Sequence, residues 1–304
     1  MKLGDSTGYQ IIKYKRDYSE KLVIAGVEPY IKCGYRCFYC ITDSQGKTRP
    51  VVDPASFRGL FREELSHFND PKYLFGIGVA TDAYSDIEGE CGFTRIILEE
   101  LAAGGHAVSV TTKSPLVTRD IDIFTRMPKD KHKVIISFTC STSELAQRCE
   151  PQAPPPEARL AALHELHNAG VNACVLMAPW IPGLTDTARL LELFPKGIKV
   201  FFQPLELGDV FSETRDNERV HFSAALFMGR EWTQNEINRA YINECNTVGK
   251  QYWKQFDMEW RWPITRETHA DNSGYLKRMR PGRYDPDQWV AEHHIEPRLP
   301  VSAG

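Results

Sequence analysis

Six short apolar runs recur along this chain, each followed by a stretch with helical spacing. They are LVIAG (22–26), YLFGIGV (73–79), AVSVTT (107–112), KVIISFT (133–139), ACVLMA (173–178) and KVFFQPL (199–205). Near-continuous apolar runs of this length suit strands covered on both faces, as in parallel sheets. The segments between them carry helix signals. Residues 57–68 form one such stretch, and Phe93, Ile96, Ile97 and Leu101 keep a helical period that Gly104 and Gly105 end. Leu160, Leu163 and Leu166 make one stripe with Gly170 as its stop, and Thr185 or Asp186 is placed to cap a helix through Phe194. Six strand-plus-helix units predict a parallel α/β fold with right-handed connections. A doubly wound sheet and an incomplete barrel both satisfy the pattern.

After about residue 209 the alternation is expected to stop. The remainder is polar and aromatic and holds Trp232, Trp253, Trp260, Trp262 and Trp289. The spacing predicts a helix over 233–253, then an extended piece in DMEWRWP (257–263).

The net charge of -3 gives no basic excess of the kind that marks nucleic-acid binders. Lys13, Lys15 and Arg16, and the LKRMRPGR cluster (276–283), read first as solvated charge runs. No apolar leader and no membrane-length apolar stretch is seen, so a cytoplasmic protein without a membrane partner is expected. In that reducing setting eight cysteines point to metal binding or chemistry before disulfides.

Three of the eight lie in KCGYRCFYC (32–40), where Cys33, Cys37 and Cys40 have C-x3-C-x2-C spacing. In parallel α/β folds the active site collects at the carboxyl ends of the strands. This loop follows the first apolar run. The next runs end in Thr81, Asp82 and Tyr84, in Lys113 and Ser114, in Ser137, Thr139, Cys140 and Ser141, in Ala178, Pro179 and Trp180, and in Gln203 and Glu206. One rim should therefore bring the cysteines together with a lysine, an aspartate and several hydroxyls. A structural zinc needs a closed set of four ligands, and no second cysteine or histidine pair lies nearby; Cys91 and His106 belong to other elements. A four-iron cubane on three cysteines leaves one iron open to a small chelating molecule, and the spacing favours this reading.

C-x3-C-x-aromatic-C after a first strand, with Tyr39 as the aromatic, resembles the radical S-adenosylmethionine (SAM) superfamily. GVATDAYSDIE, GHAVSVTTKSPLVTRDID, the segment from ISFTCSTSELAQRCEPQAPPPEARL onward and MAPWIPGLTD look like its spore photoproduct lyase-like branch. The resemblance implies an incomplete (β/α)6 TIM-type barrel with a C-terminal extension. It implies a [4Fe-4S] cluster on Cys33, Cys37 and Cys40 whose open iron is chelated by SAM. Reductive cleavage of SAM to a 5′-deoxyadenosyl radical would then allow hydrogen-atom abstraction. Cofactor contacts would come from Tyr39, Thr81, Asp82, Lys113, Ser137 and Ala178. The implied partners are a small-molecule or peptide substrate and an electron donor such as flavodoxin or ferredoxin. Nucleic-acid modification and a non-catalytic iron or zinc protein are the alternatives. Ala80 stands where the lyase itself carries a hydrogen-donating cysteine. The corresponding domain reading is a lead-in over 1–28, a barrel over 29–250 and a Trp-rich extension over 251–304 that could act as a lid.

Cys91, Cys140, Cys149, Cys174 and Cys245 show no cluster spacing. Cys174, inside an apolar run, reads as core, as do Cys149 and Cys245 on helical segments. Cys140, at a strand end, is a candidate catalytic hydrogen-atom donor, set against inert burial. His293 and His294 read as exposed tail.

Overall fold

A computed structural model describes residues 10–19, 22–40, 52–207, 229–230, 232–261, 263 and 278–293. In chain order the elements are β1 (Ile12–Ser19), β2 (Leu22–Val27), α1 (Pro54–Leu65), β3 (Tyr73–Ile77), α2 (Glu88–Cys91), α3 (Phe93–Ala103), β4 (Ala107–Thr112), a 3-10 turn (Pro115–Asp120), α4 (Ile121–Phe124) and β5 (His132–Phe138). Then follow α5 (Ser143–Cys149), α6 (Pro156–Asn168), β6 (Ala173–Trp180), α7 (Thr187–Leu193), β7 (Lys199–Pro204), α8 (Gln234–Tyr252), β8 (Asp257–Arg261), β9 (Arg278–Met279) and α9 (Pro286–Glu292). All six apolar runs are strands, β2 to β7. The chain divides into two compact units, Met1–Arg36 with Ser44–Ser137 and Gln152–Cys174, and Cys37–Asp43 with Phe138–Pro151 and Val175–Gly304. No helix among the described residues is long and apolar enough to cross a membrane.

In the first unit β2, β3, β4 and β5 pair in parallel, each with the next. The register sets Val23 against Tyr73, Leu74 against Ala107 and Val108 against His132. Helices α1 and α3 bury their apolar sides over these strands. Phe57 of α1 stacks on Phe93 of α3 at 3.9 Å, and Phe57, Phe61, Phe75, Ile97 and Leu101 are all buried. Asp53 caps α1 by accepting from the backbone N–H groups of Ala55 and Ser56. At the end of β3, Gly78 has φ +79°, and a Cβ there would lie 2.4 Å from the Thr111 carbonyl oxygen. Only glycine lets the chain turn this close to β4, which sends the following loop across the strand ends.

The alternation does not stop near residue 209. Helix α8 carries a full capping box, in which Thr233 and Glu236 each bond the other's backbone N–H. It leads into β8, which pairs in parallel with β7, Phe202 against Trp260. The chain thus builds a further β-α-β connection from the segment that looked like an appendage. Trp260 is buried, stacked on Phe202 at 3.8 Å and beside Tyr241 at 5.5 Å. It is core of the second unit. Trp289 is also buried and stacks on His293. Trp253, in contrast, is 62% exposed. Trp262 and His294 lie outside the described residues.

The sheet also gains a strand at its start that was not foreseen. β1 pairs antiparallel with β2, and Glu64 of α1 holds its start by accepting from Ile11 and Ile12 N–H.

Candidate active site

The first unit gathers polar groups where its parallel strands end. Glu28 follows β2 directly and is buried. Its Oε1 accepts from Ala80 N–H at 2.8 Å, and its Oε2 accepts from Thr81 N–H at 2.9 Å and Thr81 Oγ1 at 2.7 Å. Burial pushes the carboxyl above its ordinary 4.5, and these donors pull the other way. The Thr81 hydroxyl is thus engaged within the protein, where the sequence reading turned it toward a cofactor.

Asp82 is held by three bonds. Its Oδ1 accepts from Tyr84 N–H at 2.9 Å and Thr112 Oγ1 at 2.6 Å, and its Oδ2 accepts from Lys113 N–H at 2.7 Å. Burial raises its pKa despite the donors and the Lys113 charge. Lys113 Nζ lies 3.5 Å from Ser137 Oγ at the end of β5. Cys33 belongs to this group. Its thiol is pushed up, first by burial and then by the Asp82 charge, while the N–H groups of Tyr35 and Asp82 and the Lys113 charge act against this. Asp82, Lys113, Ser137 and Cys33 are therefore brought together as the strand-end argument requires.

Two further groups stand behind these residues: Arg159, marked in the sequence only as part of the branch's motif, and a buried ionic network that sequence reasoning did not find. Arg159 of α6 is fully buried; its Nε donates to the Pro154 carbonyl at 2.8 Å and its Nη1 to the Ser137 carbonyl at 3.2 Å. A buried charge capping the end of β5 has no periodic signature. The second is an ionic network beneath the loop after β3. Glu88 and Asp120 are both fully buried. Arg119 bonds both, Tyr30 donates to Glu88, Tyr84 donates to Asp120 at 2.9 Å, and Arg95 joins Asp120 to Asp122. These contacts pin the Asp82 loop to the turn after β4.

In the second unit Cys37 is buried and Cys40 is partly exposed. Phe38 N–H donates to the Cys149 carbonyl at 3.0 Å. Tyr39 is buried and turns its hydroxyl inward, donating to Glu150 and accepting from Thr139 Oγ1 at 3.1 Å. Thr139 Oγ1 also lies 3.2 Å from the Ala178 carbonyl. Tyr39 and Ala178 thus share one hydrogen-bonded chain that fixes the cysteine loop to the start of the segment after α5. Cys140 is fully buried, and its thiol hydrogen-bonds Cys149, which lowers the Cys149 pKa. Cys174 and Cys245 are buried as expected, and burial pushes the Cys245 thiol up to about 12.

A cluster fits this chain by donor chemistry: Cys33, Cys37 and Cys40 stand on one short loop outside any disulfide, two of them partly exposed. Among the described residues no three His, Cys, Asp or Glu side chains are already gathered as a metal cage.

Residues 27–194, more than half the chain, match the Radical SAM superfamily. An uncharacterized protein of Mycobacterium tuberculosis is 29% identical over 177 residues, covering 55% of this chain and 52% of the relative. An uncharacterized protein of Acidianus two-tailed virus is 36% identical over 177 residues, covering 56% and 55%. The chain spans about half the length of these curated relatives. Among solved structures, Streptococcus suis SuiB bound to S-adenosylmethionine aligns with TM-score 0.51 and 10% identity, over 78% of this chain and 49% of SuiB. Spore photoproduct lyase complexed with dinucleoside spore photoproduct aligns with TM-score 0.43 and 15% identity, over 66% and 60%. The fold is the incomplete (β/α)6 TIM-type barrel of the radical SAM kind with a C-terminal extension. The chain belongs to the radical SAM superfamily and is one of its enzymes.

Proposed function

We propose that this enzyme holds a [4Fe-4S] cluster on Cys33, Cys37 and Cys40, binds SAM beside it, and abstracts a hydrogen atom from a small metabolite or peptide. The observation that carries the reading is the C-x3-C-x2-C loop after β2 in a family-matched segment whose other strand ends gather Asp82, Lys113 and Ser137. When bound and reduced by a donor such as flavodoxin or ferredoxin, the cluster supplies the electron that cleaves SAM.

The chain's own residues bind and orient. Lys113 offers an ammonium to the SAM carboxylate, with Ser137 as its hydroxyl neighbour. Asp82 Oδ2 accepts one described bond and keeps lone-pair capacity for an ammonium group. Glu28 and Arg159 act behind them as positioning residues, one fixing the Ala80–Thr81 backbone and the other the end of β5. Cys140 is retained as a candidate hydrogen-atom donor, to be judged by whether Cys140→Ala alters the product.

Anaerobic reconstitution with iron and sulfide, followed by SAM and dithionite, should yield 5′-deoxyadenosine and methionine. Cys37→Ala should lose iron retention and that product together. Lys113→Gln should keep its iron and bind SAM about tenfold more weakly, the loss expected for one charge-assisted hydrogen bond. Unchanged SAM affinity in Lys113→Gln overturns that residue's assignment. A reconstituted protein that binds no iron overturns the reading as a whole.

A further inference from the structure

The first unit has a concavity at the other end of its strands from the site described above. Its volume is about 550 Å³, and it lies where α3 ends and where β4 and β5 begin. Asp82, Lys113 and Ser137 follow the carboxyl ends of β3, β4 and β5, so this cavity plays no part in the site described above. Its apolar wall is made by Ala102 and Ala103 of α3 and by Ile123, Met127 and Pro128.

The polar groups at its edge are unevenly satisfied. Glu99 is already paired, with Arg58 at 2.6 Å and Arg95 at 3.3 Å. Arg126 shares Asp122 at 3.3 Å with Arg95, which bonds both of that carboxylate's oxygens. Neither the Lys131 side chain nor the His106 side chain makes a hydrogen bond or ion pair among the described residues. Yet His106 is not a loose surface ring. It packs edge-on against Phe75 at 5.2 Å and presses on Gly104, where a Cβ would lie 2.6 Å from the ring. Burial and the Lys131 charge keep it from protonating at its ordinary value. A fixed imidazole and an ammonium therefore converge on an apolar hollow whose carboxylate among the described lining residues, Glu99, is already ion-paired.

We infer that this cavity binds an organic anion, with an apolar body against the α3 wall and a carboxylate or phosphate met by Lys131, Arg126 and His106. Convergent polar groups around an apolar concavity are the usual make-up of a small-molecule site. The volume suits a ligand of one or two rings. A bare inorganic ion would leave the apolar wall uncovered, and a neutral hydrocarbon would leave Lys131 unmatched.

The test uses the full chain, without a cluster, and follows the His106 ring signals by NMR. The probes are benzoate, phenyl phosphate and the neutral benzamide. Saturable shifts with either anion are expected, and the stronger of the two tells whether a carboxylate or a phosphate is preferred. Benzamide should bind about tenfold more weakly, as should either anion to Lys131→Gln. Ala103→Trp, on an exposed position, should fill the hollow and abolish binding while thermal unfolding stays unchanged. The proposal is overturned if neither anion gives saturable shifts at millimolar concentration. It is equally overturned if Ala103→Trp, still folded, binds as the wild type does, or if benzamide matches the anions.

Discussion

Glu28 shows how one residue sets the geometry of a strand end. Its two oxygens take the backbone of Ala80 and Thr81 and the Thr81 hydroxyl, fifty-odd residues downstream. Glu28→Gln replaces one acceptor by an amide that faces an N–H donor. It should cost about 1–3 kcal/mol, the scale of a buried unsatisfied pair, measured by urea unfolding. The pH dependence has a definite sign. The folded-state pKa lies above 4.5, so the folded protein holds the Glu28 proton more tightly than the unfolded chain does. The stabilisation is full below that value and is lost as pH rises through the folded-state pKa. Glu28→Gln should lack that slope, which unfolding curves across the mildly acidic range will show. Nothing in the sequence marks Glu28, because its partners are backbone groups and one hydroxyl far along the chain. Thr81 and Asp82 were legible as strand-end residues, whereas the inward use of the Thr81 and Tyr39 hydroxyls was not. A motif fixes a residue's place in a loop and leaves open which way its polar atom turns.

At the scale of elements, the loop between β3 and α3 is held by charge. Arg119 touches both Glu88 and Asp120, and each carboxylate is fully buried. Removing one partner of a buried pair strands the other charge. Arg119→Ala should therefore cost about 3–5 kcal/mol and raise hydrogen exchange in the Asp82 loop ahead of the strands. The helix α8 offers a milder test. Thr233→Ala removes the hydroxyl that accepts from Glu236 N–H, leaving the Glu236 carboxylate on the backbone N–H of residue 233, and should cost about 1 kcal/mol, read from thermal unfolding. Here the sequence was informative, since Thr233 with Glu236 three residues on is a local signal. All six doubly covered strands were equally plain. β1 and β8 were missed as sheet strands because IKYKRDYS and DMEWR have no continuous apolar run. A strand paired antiparallel, or one with only part of its surface covered, need not be apolar throughout.

For the molecule as a whole, Trp260 and Trp253 of the C-terminal segment divide sharply. Trp260→Ala should cost about 3–5 kcal/mol, since it removes a large side chain stacked in the core of the second unit. Trp253→Ala should change unfolding by less than about 0.5 kcal/mol, as its ring is mostly exposed. Cutting the chain before β8 takes away the parallel partner of β7 and should give insoluble protein, checked by expression and centrifugation. Such a result would mean that the segment is part of what folds.

The antiparallel pairings at the ends of the strand series have a further consequence, for solubility. A sheet that does not close on itself presents rows of free N–H and C=O groups to any passing strand. Among the described residues the strand series begins with β1, turned against β2, and ends with the two-residue β9, turned against β8. β1 bears Lys13, Lys15, Arg16 and Asp17 in its sequence, and β9 is too short to template another chain. A charged run in the first strand of the series is expected to discourage self-association. Replacing Lys13, Lys15 and Arg16 by threonine should leave the circular dichroism spectrum unchanged and lower the concentration at which the protein aggregates, read by light scattering.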